Sequence, residues 1–382
     1  MNVPKLRFKE FNDTWKKIQL SSFVNINPQN DSLPEKFIYI DLESVNNGLL
    51  TSRKIINRSE APSRAKRTII KNDILYQTVR PYQMNNLFIN SLDSDYPYIA
   101  STGYALLRTK ENPYFVYSIL HQKSFVNKVL DMCTGTSYPA INATDLGKIS
   151  VGLPSIKEQE KISRTLELLD KKIELQTKKI EDLKLFKLYM ENQFIFKDDA
   201  SYIEYKLRDI LIEGNKTPVA DTSKYQKLTI KLNLKGLEFN ESQKEMSDKR
   251  PFYVRDENEL IIGKQNYFNG SIAIVNKKYA GGICSNAIMS FKAKDGFDIK
   301  YIYLYLSQKS YMKQREFLAN GTGQKELSEK EFLNFSIRIP TDNKVKKIIK
   351  NVNCISKKIL LEENKLNKLI ELKKGLMQNM FV

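Results

Sequence analysis

The stretch Tyr117-Ser-Ile-Leu-His-Gln-Lys-Ser-Phe125 returns as Tyr303-Leu-Tyr-Leu-Ser-Gln-Lys-Ser-Tyr311, five of nine positions identical at an offset of 186 residues. Outward from it, the same offset lays Gly135-Thr136 on Gly321-Thr322 and Ile149-Ser-Val-Gly-Leu-Pro154 on Phe335-Ser-Ile-Arg-Ile-Pro340. Upstream, Asp73-Ile-Leu-Tyr76 falls on Glu259-Leu-Ile-Ile262 and Arg64 on Arg250. Trp15 and Leu20 fall on Tyr202 and Leu207 at an offset one residue greater. Matches that keep their order along almost the whole chain mark an internal duplication, and a duplication decides the architecture before any single element does.

Each copy opens with a mixed stretch, 15–153 and 202–339. Short β-like runs such as Phe37-Ile-Tyr-Ile40, Ile74-Leu-Tyr76, Leu260-Ile-Ile262 and Ile272-Ala-Ile-Val275 are broken there by Asn, Gly and Asp. One helix is expected inside each, over 114–130 and 299–317, with Pro113 placed to open the first. After Pro154 and Pro340 the pattern changes. Apolar residues then recur at steps of four and three: Ile162, Leu166, Leu169, Ile173, Ile180 and Leu183 in one copy. The other copy carries Ile348, Val352, Ile355, Ile359, Leu366 and Leu369, and the polar interruptions coincide, Gln176 with Glu362 and Lys187 with Lys373. A four-three alternation is the heptad seam of a coiled coil, and so narrow a stripe suits two paired helices better than full burial. The shared register predicts that the two helices, each about 50 Å long at 1.5 Å per residue, pair antiparallel within one chain and hold the copies a fixed distance apart; pairing between two molecules is the alternative. The expected fold is α+β: two repeated mixed α/β domains, 1–153 and 197–339, separated by two long antiparallel coiled-coil helices, 154–196 and 340–382.

With 62 basic against 44 acidic residues the chain carries a formal charge of +18. Such an excess points to a polyanionic partner, nucleic acid before an acidic membrane surface. Cys133, Cys284 and Cys354 lie far apart and His121 is the sole histidine, so the four clustered ligands of a zinc site are missing. The amino-terminal run is charged where a signal peptide is apolar, and no stretch is long and apolar enough to span a bilayer. The expectation is a cytoplasmic protein with no metal, cofactor or membrane partner. There is no phosphate loop of the G-x-x-x-x-G-K-[ST] kind. Asn112-Pro-Tyr-Phe115 superficially resembles the base-gripping motif of adenine methyltransferases but lacks its second proline, and reads as a turn and helix start. His121 falls on Ser307 in the other copy, which leaves it no catalytic role.

These parts together resemble the specificity subunit of Type I restriction–modification enzymes, over essentially the full length. The opening Pro4-Lys-Leu-Arg-Phe8…Phe11…Trp15…Leu20 is similar to that family's opening pattern. Leu153-Pro-Ser-Ile-Lys-Glu-Gln159…Ile162…Leu166…Leu169-Asp170…Ile173 resembles its junction into the central helix, and Lys374-Gly-Leu-Met-Gln378…Phe381 its closing motif. The second junction, Ile339-Pro340-Thr-Asp-Asn-Lys-Val345, departs by lacking the Glu-Gln pair. The resemblance implies two target-recognition domains, each reading half of a split double-stranded DNA sequence. It implies two adenine-methyltransferase subunits as partners and, for cleavage, two ATP-dependent restriction motor-nuclease subunits, with no chemistry in the chain itself.

DNA binding needs phosphate contacts for affinity and base contacts for sequence. Ser52–Lys71 holds Arg53, Lys54, Arg58, Arg64, Lys66, Arg67 and Lys71 against Glu60 alone, a candidate phosphate strip; Lys249, Arg250 and Arg255 are its sparser counterpart. Arg and Lys can reach guanine acceptors, and Asn and Gln adenine edges. The candidate reading loops are Thr78, Arg80, Tyr82 and Gln83 in one copy and Lys264, Gln265, Asn266 and Tyr267 in the other. Ser101-Thr102 and Ser285-Asn286 join them, with the Gly-Thr loops that carry Thr136, Ser137 and Tyr138, and Thr322 and Gln324. The charged outer faces of the long helices are the candidate platform for methyltransferase subunits. A helical scaffold joining two protein partners without reading DNA is the alternative from another class, and a stand-alone RNA-binding protein a further one.

Overall fold

The computed structural model describes residues 3–29, 32–135, 137–195, 202–240, 250–316, 326–341 and 344–382; Thr136, Lys249, Thr322 and Gln324 lie outside them. The chain divides into two units, Met1–Lys179 with Glu362–Val382, and Ile180–Leu361.

In the first unit a four-stranded antiparallel sheet has the order Val24–Ile26, Tyr104–Thr109, Ile74–Gln77, Leu87–Phe88. Successive strand residues point to opposite faces, and the two inner strands are apolar on both. Ile74, Tyr76, Ala105 and Leu107 pack on one side with Trp15, Phe115 and Phe125. Leu75, Leu87, Tyr104 and Leu106 pack on the other with Ile38, Ile69 and Tyr98. The latter belong to a second sheet, ordered Lys54–Asn57, Lys36–Ile40, Tyr98–Ser101, Ala65–Ile69, whose one parallel pair joins Tyr98–Ala100 to Ile38–Ile40. Lys16–Gln19 pairs with Ser150–Leu153 and ties the start of the domain to its end.

The second unit repeats the plan. Its four-stranded sheet runs Leu211–Glu213, Ile288–Ala293, Leu260–Gly263, Ile272–Ile274, and Tyr202–Lys206 pairs with Ser336–Pro340.

The single helix expected in each copy is two. Pro113–Leu120 is followed by Lys123–Asp131, and Ile299–Leu306 by Lys309–Arg315. The break has one cause in both. Gln122 and Gln308 take extended backbone, and their side-chain amides donate back to the last-turn carbonyls of Ser118 (3.3 Å) and Leu304 (3.0 Å). The repeated Gln-Lys-Ser is therefore a break signal. Asn112 caps the first helix, its side-chain oxygen accepting from the Phe115 N–H at 2.9 Å with Pro113 in the first turn, which makes Asn112–Phe115 the helix start it was read as.

The long helices are Ile156–Ile195 and Lys344–Asn379. Within the first unit, residues 156–179 run antiparallel to 362–379: Asp170 pairs with Lys373, while Gln176 and Lys179 both reach Glu362. Leu169 is buried and Ile173, Leu366 and Leu369 half-buried. Within the second unit, Ile180 and Ile359 are buried, Leu183 and Ile355 half-buried, and Lys187, Leu188, Ser356 and Ile359 line one cleft. The outer ends of the stripe depart from a pure two-helix seam. Ile162 and Leu166 sit in the first domain's core beside Trp15 and Phe115, and Ile348 and Val352 in the second's beside Tyr311 and Phe335.

The Glu-Gln pair at the first junction is buried. Glu158 takes two hydrogen bonds of 2.8 Å from the Arg7 guanidinium. The Gln159 amide donates to Glu111 (2.8 Å) and the Pro154 carbonyl (3.0 Å), and its oxygen accepts from the Asn112 N–H. The pair pins the amino-terminal segment and the first domain to the start of the central helix. At the second junction Lys344 and Val345 take these positions, and Val345 packs against the core instead.

Candidate nucleic-acid interface

In the first unit, Gln77 organises the loop that follows its strand. Its amide donates to the Val79 carbonyl and to the Gln83 side chain, both at 2.8 Å, and its oxygen accepts from the Asn85 N–H. Pro81 opens a single turn, Pro81–Gln83, flanked by Arg80 (φ 54°) and Met84 (φ 51°), both in the left-handed region. Such backbone costs a non-glycine residue on the order of 1–3 kcal/mol and persists only where its surroundings impose it. Here they do: the Arg80 N–H donates to the Pro139 carbonyl at 2.7 Å, and Val79 bridges Ala140. These contacts join the reading loop to the segment Tyr138–Ala140. The Arg80 guanidinium carbon sits 4.3 Å from the centre of the Tyr138 ring. Tyr138 is 63% exposed, Tyr82 50% and Met84 40%; Ser137 is exposed as well.

The turn at Ser101–Gly103 abuts the same loop. The Gly103 carbonyl accepts from the Thr78 N–H (3.1 Å) and hydroxyl (2.8 Å), and the Thr102 N–H donates to the Arg64 carbonyl at 2.9 Å. Arg64, Thr78, Arg80, Thr102 and Tyr138 thus share one end of the domain. Two roles need correction. Ser101 is buried, 4% exposed, and its hydroxyl accepts from the Gly103 N–H inside its own turn. The Thr78 hydroxyl is likewise spent on the scaffold.

The basic strip is not continuous. Lys54 lies on one edge strand of the second sheet and Lys66 and Arg67 on the opposite edge, with two strands between; at about 4.8 Å per strand step that is roughly 14 Å. Arg53 is held by Asp93 at 2.9 Å. Arg64, Arg58 and Lys71 are exposed. Arg67 is half-buried, its Nε without a hydrogen-bond acceptor among the described residues, and burial pushes its guanidinium pKa down.

In the second unit the corresponding end carries Arg250, Gln265, Asn266 and Asn286, all exposed. The Lys264 N–H donates to the Ala287 carbonyl (3.0 Å) and the Asn286 N–H to the Pro251 carbonyl (3.1 Å), so these segments also meet. Lys264 faces Glu329 at 3.6 Å. Three residues turn inward. Tyr267 is fully buried and its hydroxyl donates to the Leu306 carbonyl at 2.9 Å; Ser285 is buried in its strand; Arg255, 3% exposed, donates to the Asn215 carbonyl. Tyr267 was misassigned because an aromatic beside Asn looks the same in sequence whether its ring faces groove or core.

His121 packs against Tyr117, and burial lowers its pKa. Among the described residues no His, Cys, Asp and Glu gather to hold a metal, and no helix is long and apolar enough to cross a membrane.

Residues 12–185, and again 201–372, match the family described as the Type I restriction modification DNA specificity domain, and the chain belongs to that family. Among known proteins it is 30% identical over 147 residues to the Type I restriction enzyme HindI specificity subunit of Haemophilus influenzae, across 37% of this chain and only 31% of that protein's length. Its fold is similar to the Type-I restriction-modification system S subunit from M. genitalium, with TM-score 0.59 and 15% identity over 100% of this chain and 99% of that one. A chain from a structural study of assembly and conformational transition in the type I R-M system gives 0.56 and 19% identity over 95% and 96%.

Proposed function

We propose that this chain is the sequence-reading specificity subunit of a Type I restriction–modification assembly, with each domain reading one half of a bipartite duplex target. The observation that carries the reading is the pair of equivalent exposed patches on a repeated scaffold. Half-buried Arg80 stands with exposed Tyr82 and Tyr138 on one copy, and exposed Gln265, Asn266 and Asn286 on the other. One four-stranded sheet and the strand pair that closes each domain match between the copies, while the presented side chains differ, as expected of two modules for two different half-sites. Exposed Arg64, Lys54 and Arg250 supply the charge for backbone contact.

The long helices dock two adenine-methyltransferase subunits, joined for cleavage by two motor-nuclease subunits, and the chain itself performs no chemistry. Exposed apolar residues support the docking role: Leu168 and Leu175 within the first unit, and Leu185, Phe186 and Tyr189 within the second. Apolar residues clustered on a solvent-facing surface mark an interaction site.

Selection of randomised duplexes by the full-length chain, with and without its methyltransferase partner, tests the reading. The expected outcome is two short half-sites separated by a gap of constant length. Uniform binding to all duplexes with the partner present overturns it.

A further inference from the structure

Arg80 combines four features that no other candidate in the reading loops shares. Its backbone is held in the left-handed region although it is not glycine. Its N–H donates at 2.7 Å to the carbonyl of Pro139, the residue after Tyr138, which ties its backbone to the aromatic platform. Its guanidinium lies over the exposed Tyr138 ring. No carboxylate or carbonyl among the described residues accepts from its side chain, whereas Arg53, Arg108 and Arg7 are each held by an acid.

These features fit a fork set in place before its ligand arrives. A guanidinium presents its N–H donors in a plane, and that plane matches the O6 and N7 acceptors on the major-groove edge of guanine. A ring against one face restrains the long side chain while leaving the in-plane donors open, and a restrained donor forfeits less freedom on binding.

We infer that Arg80 specifies a guanine in the half-site read by the first domain, and that Tyr138 is the positioning residue that holds its guanidinium for that contact. The inference rests on the DNA-reading function proposed above. It also explains the retained strain: glycine suits the backbone at position 80 better but carries no fork.

The test uses the full-length chain, purified with the partners that accompany it from its host, selecting from randomised duplexes, with thermal melts run in parallel. Arg80→Ala and Arg80→Gly should each lower discrimination at a single guanine position by about 5- to 150-fold, and leave the second half-site unchanged. Arg80→Gly should do so without loss of melting temperature. Tyr138→Leu should lose about two- to fivefold at the same position, and Tyr138→Phe should restore it. An even loss of affinity for every sequence, with a salt dependence flatter by about one charge, would make Arg80 a phosphate contact and overturn the inference while leaving the DNA-reading function intact. Unchanged preference at every position in Arg80→Ala overturns it equally. Failure of the unaltered chain to select any sequence counts against the DNA-reading function instead.

Discussion

Gln176 and Glu362 occupy the same position in their respective repeats, 186 residues apart, and they bind each other: the Gln176 amide donates to the Glu362 carboxylate at 2.8 Å and to its backbone carbonyl at 3.0 Å. Lys179 adds a contact of 2.9 Å and Lys365 one of 3.3 Å. These donors, the Gln176 bond foremost, hold the Glu362 pKa down to about 2 from an ordinary 4.5. A carboxyl depressed on folding contributes stability that is fully present above the unfolded value and lost as pH falls through the folded one. Glu362→Gln should therefore lower the urea midpoint at pH 7, with the gap to the unaltered chain closing between about pH 4.5 and 2. A gap that stays constant across that window would mean the carboxylate contributes nothing through its charge.

The coincidence of Gln176 with Glu362 was legible in the sequence as a shared interruption of two apolar stripes, and it marks where residues 156–179 meet 362–379. The repeat was legible too, because offset matching needs no knowledge of packing. The helix break at Gln122 and Gln308 was not, since a side chain that caps its own helix end leaves no gap in the apolar period. Nor was the fate of the stripe's ends: a residue at a seam position looks alike whether it meets another helix or a sheet.

The first domain's core is closed by residues from the far end of the chain. Met380 and Phe381 are buried in it, with Phe381 stacked on Phe115 at 5.3 Å and edge-on to Trp15 at 6.3 Å. Phe381→Ala should cost about 3 kcal/mol. The loss should fall on the transition of the first unit, since the core of Leu260, Phe291 and Tyr311 contains no residue beyond Val352. Differential scanning calorimetry with hydrogen exchange on both units checks this; equal loss of protection in each would refute the assignment.

The basic strip was legible as charge and illegible as geometry, because a run of 20 residues that crosses between opposite sheet edges reads as one line in sequence. Arg64 and Arg67 separate the two cases. Arg64 is exposed at the reading end, so Arg64→Ala should flatten the log affinity against log salt slope by about one unit. Arg67 has a buried nitrogen lacking an acceptor among the described residues, a condition that costs roughly 1–3 kcal/mol. Arg67→Met should leave that slope unaltered and hold or raise the melting temperature. If Arg67→Met flattens the slope and lowers the melting temperature, Arg67 faces DNA.

Each reading patch stands on its own core. The residues packed around Trp15, Phe115 and Tyr76 belong to the first unit, and those around Tyr267, Phe291 and Tyr311 to the second, with none in common. Changes at sites with no shared partners add rather than couple. Exchange of residues 15–153 for the matching domain of a relative should then replace one half of the recognised motif and preserve the other. The exchange carries a condition. Trp15 meets Phe381, and Asn112 and Glu111 meet Gln159, so the graft must retain an aromatic at position 15 and the Glu111-Asn112 pair. Mapping of methylated adenines in cells carrying the hybrid reads both halves at once. A hybrid that melts like the parent but rewrites both half-sites would show that the two patches read DNA jointly. A hybrid that melts like the parent and rewrites neither would move the reading surface out of residues 15–153 altogether.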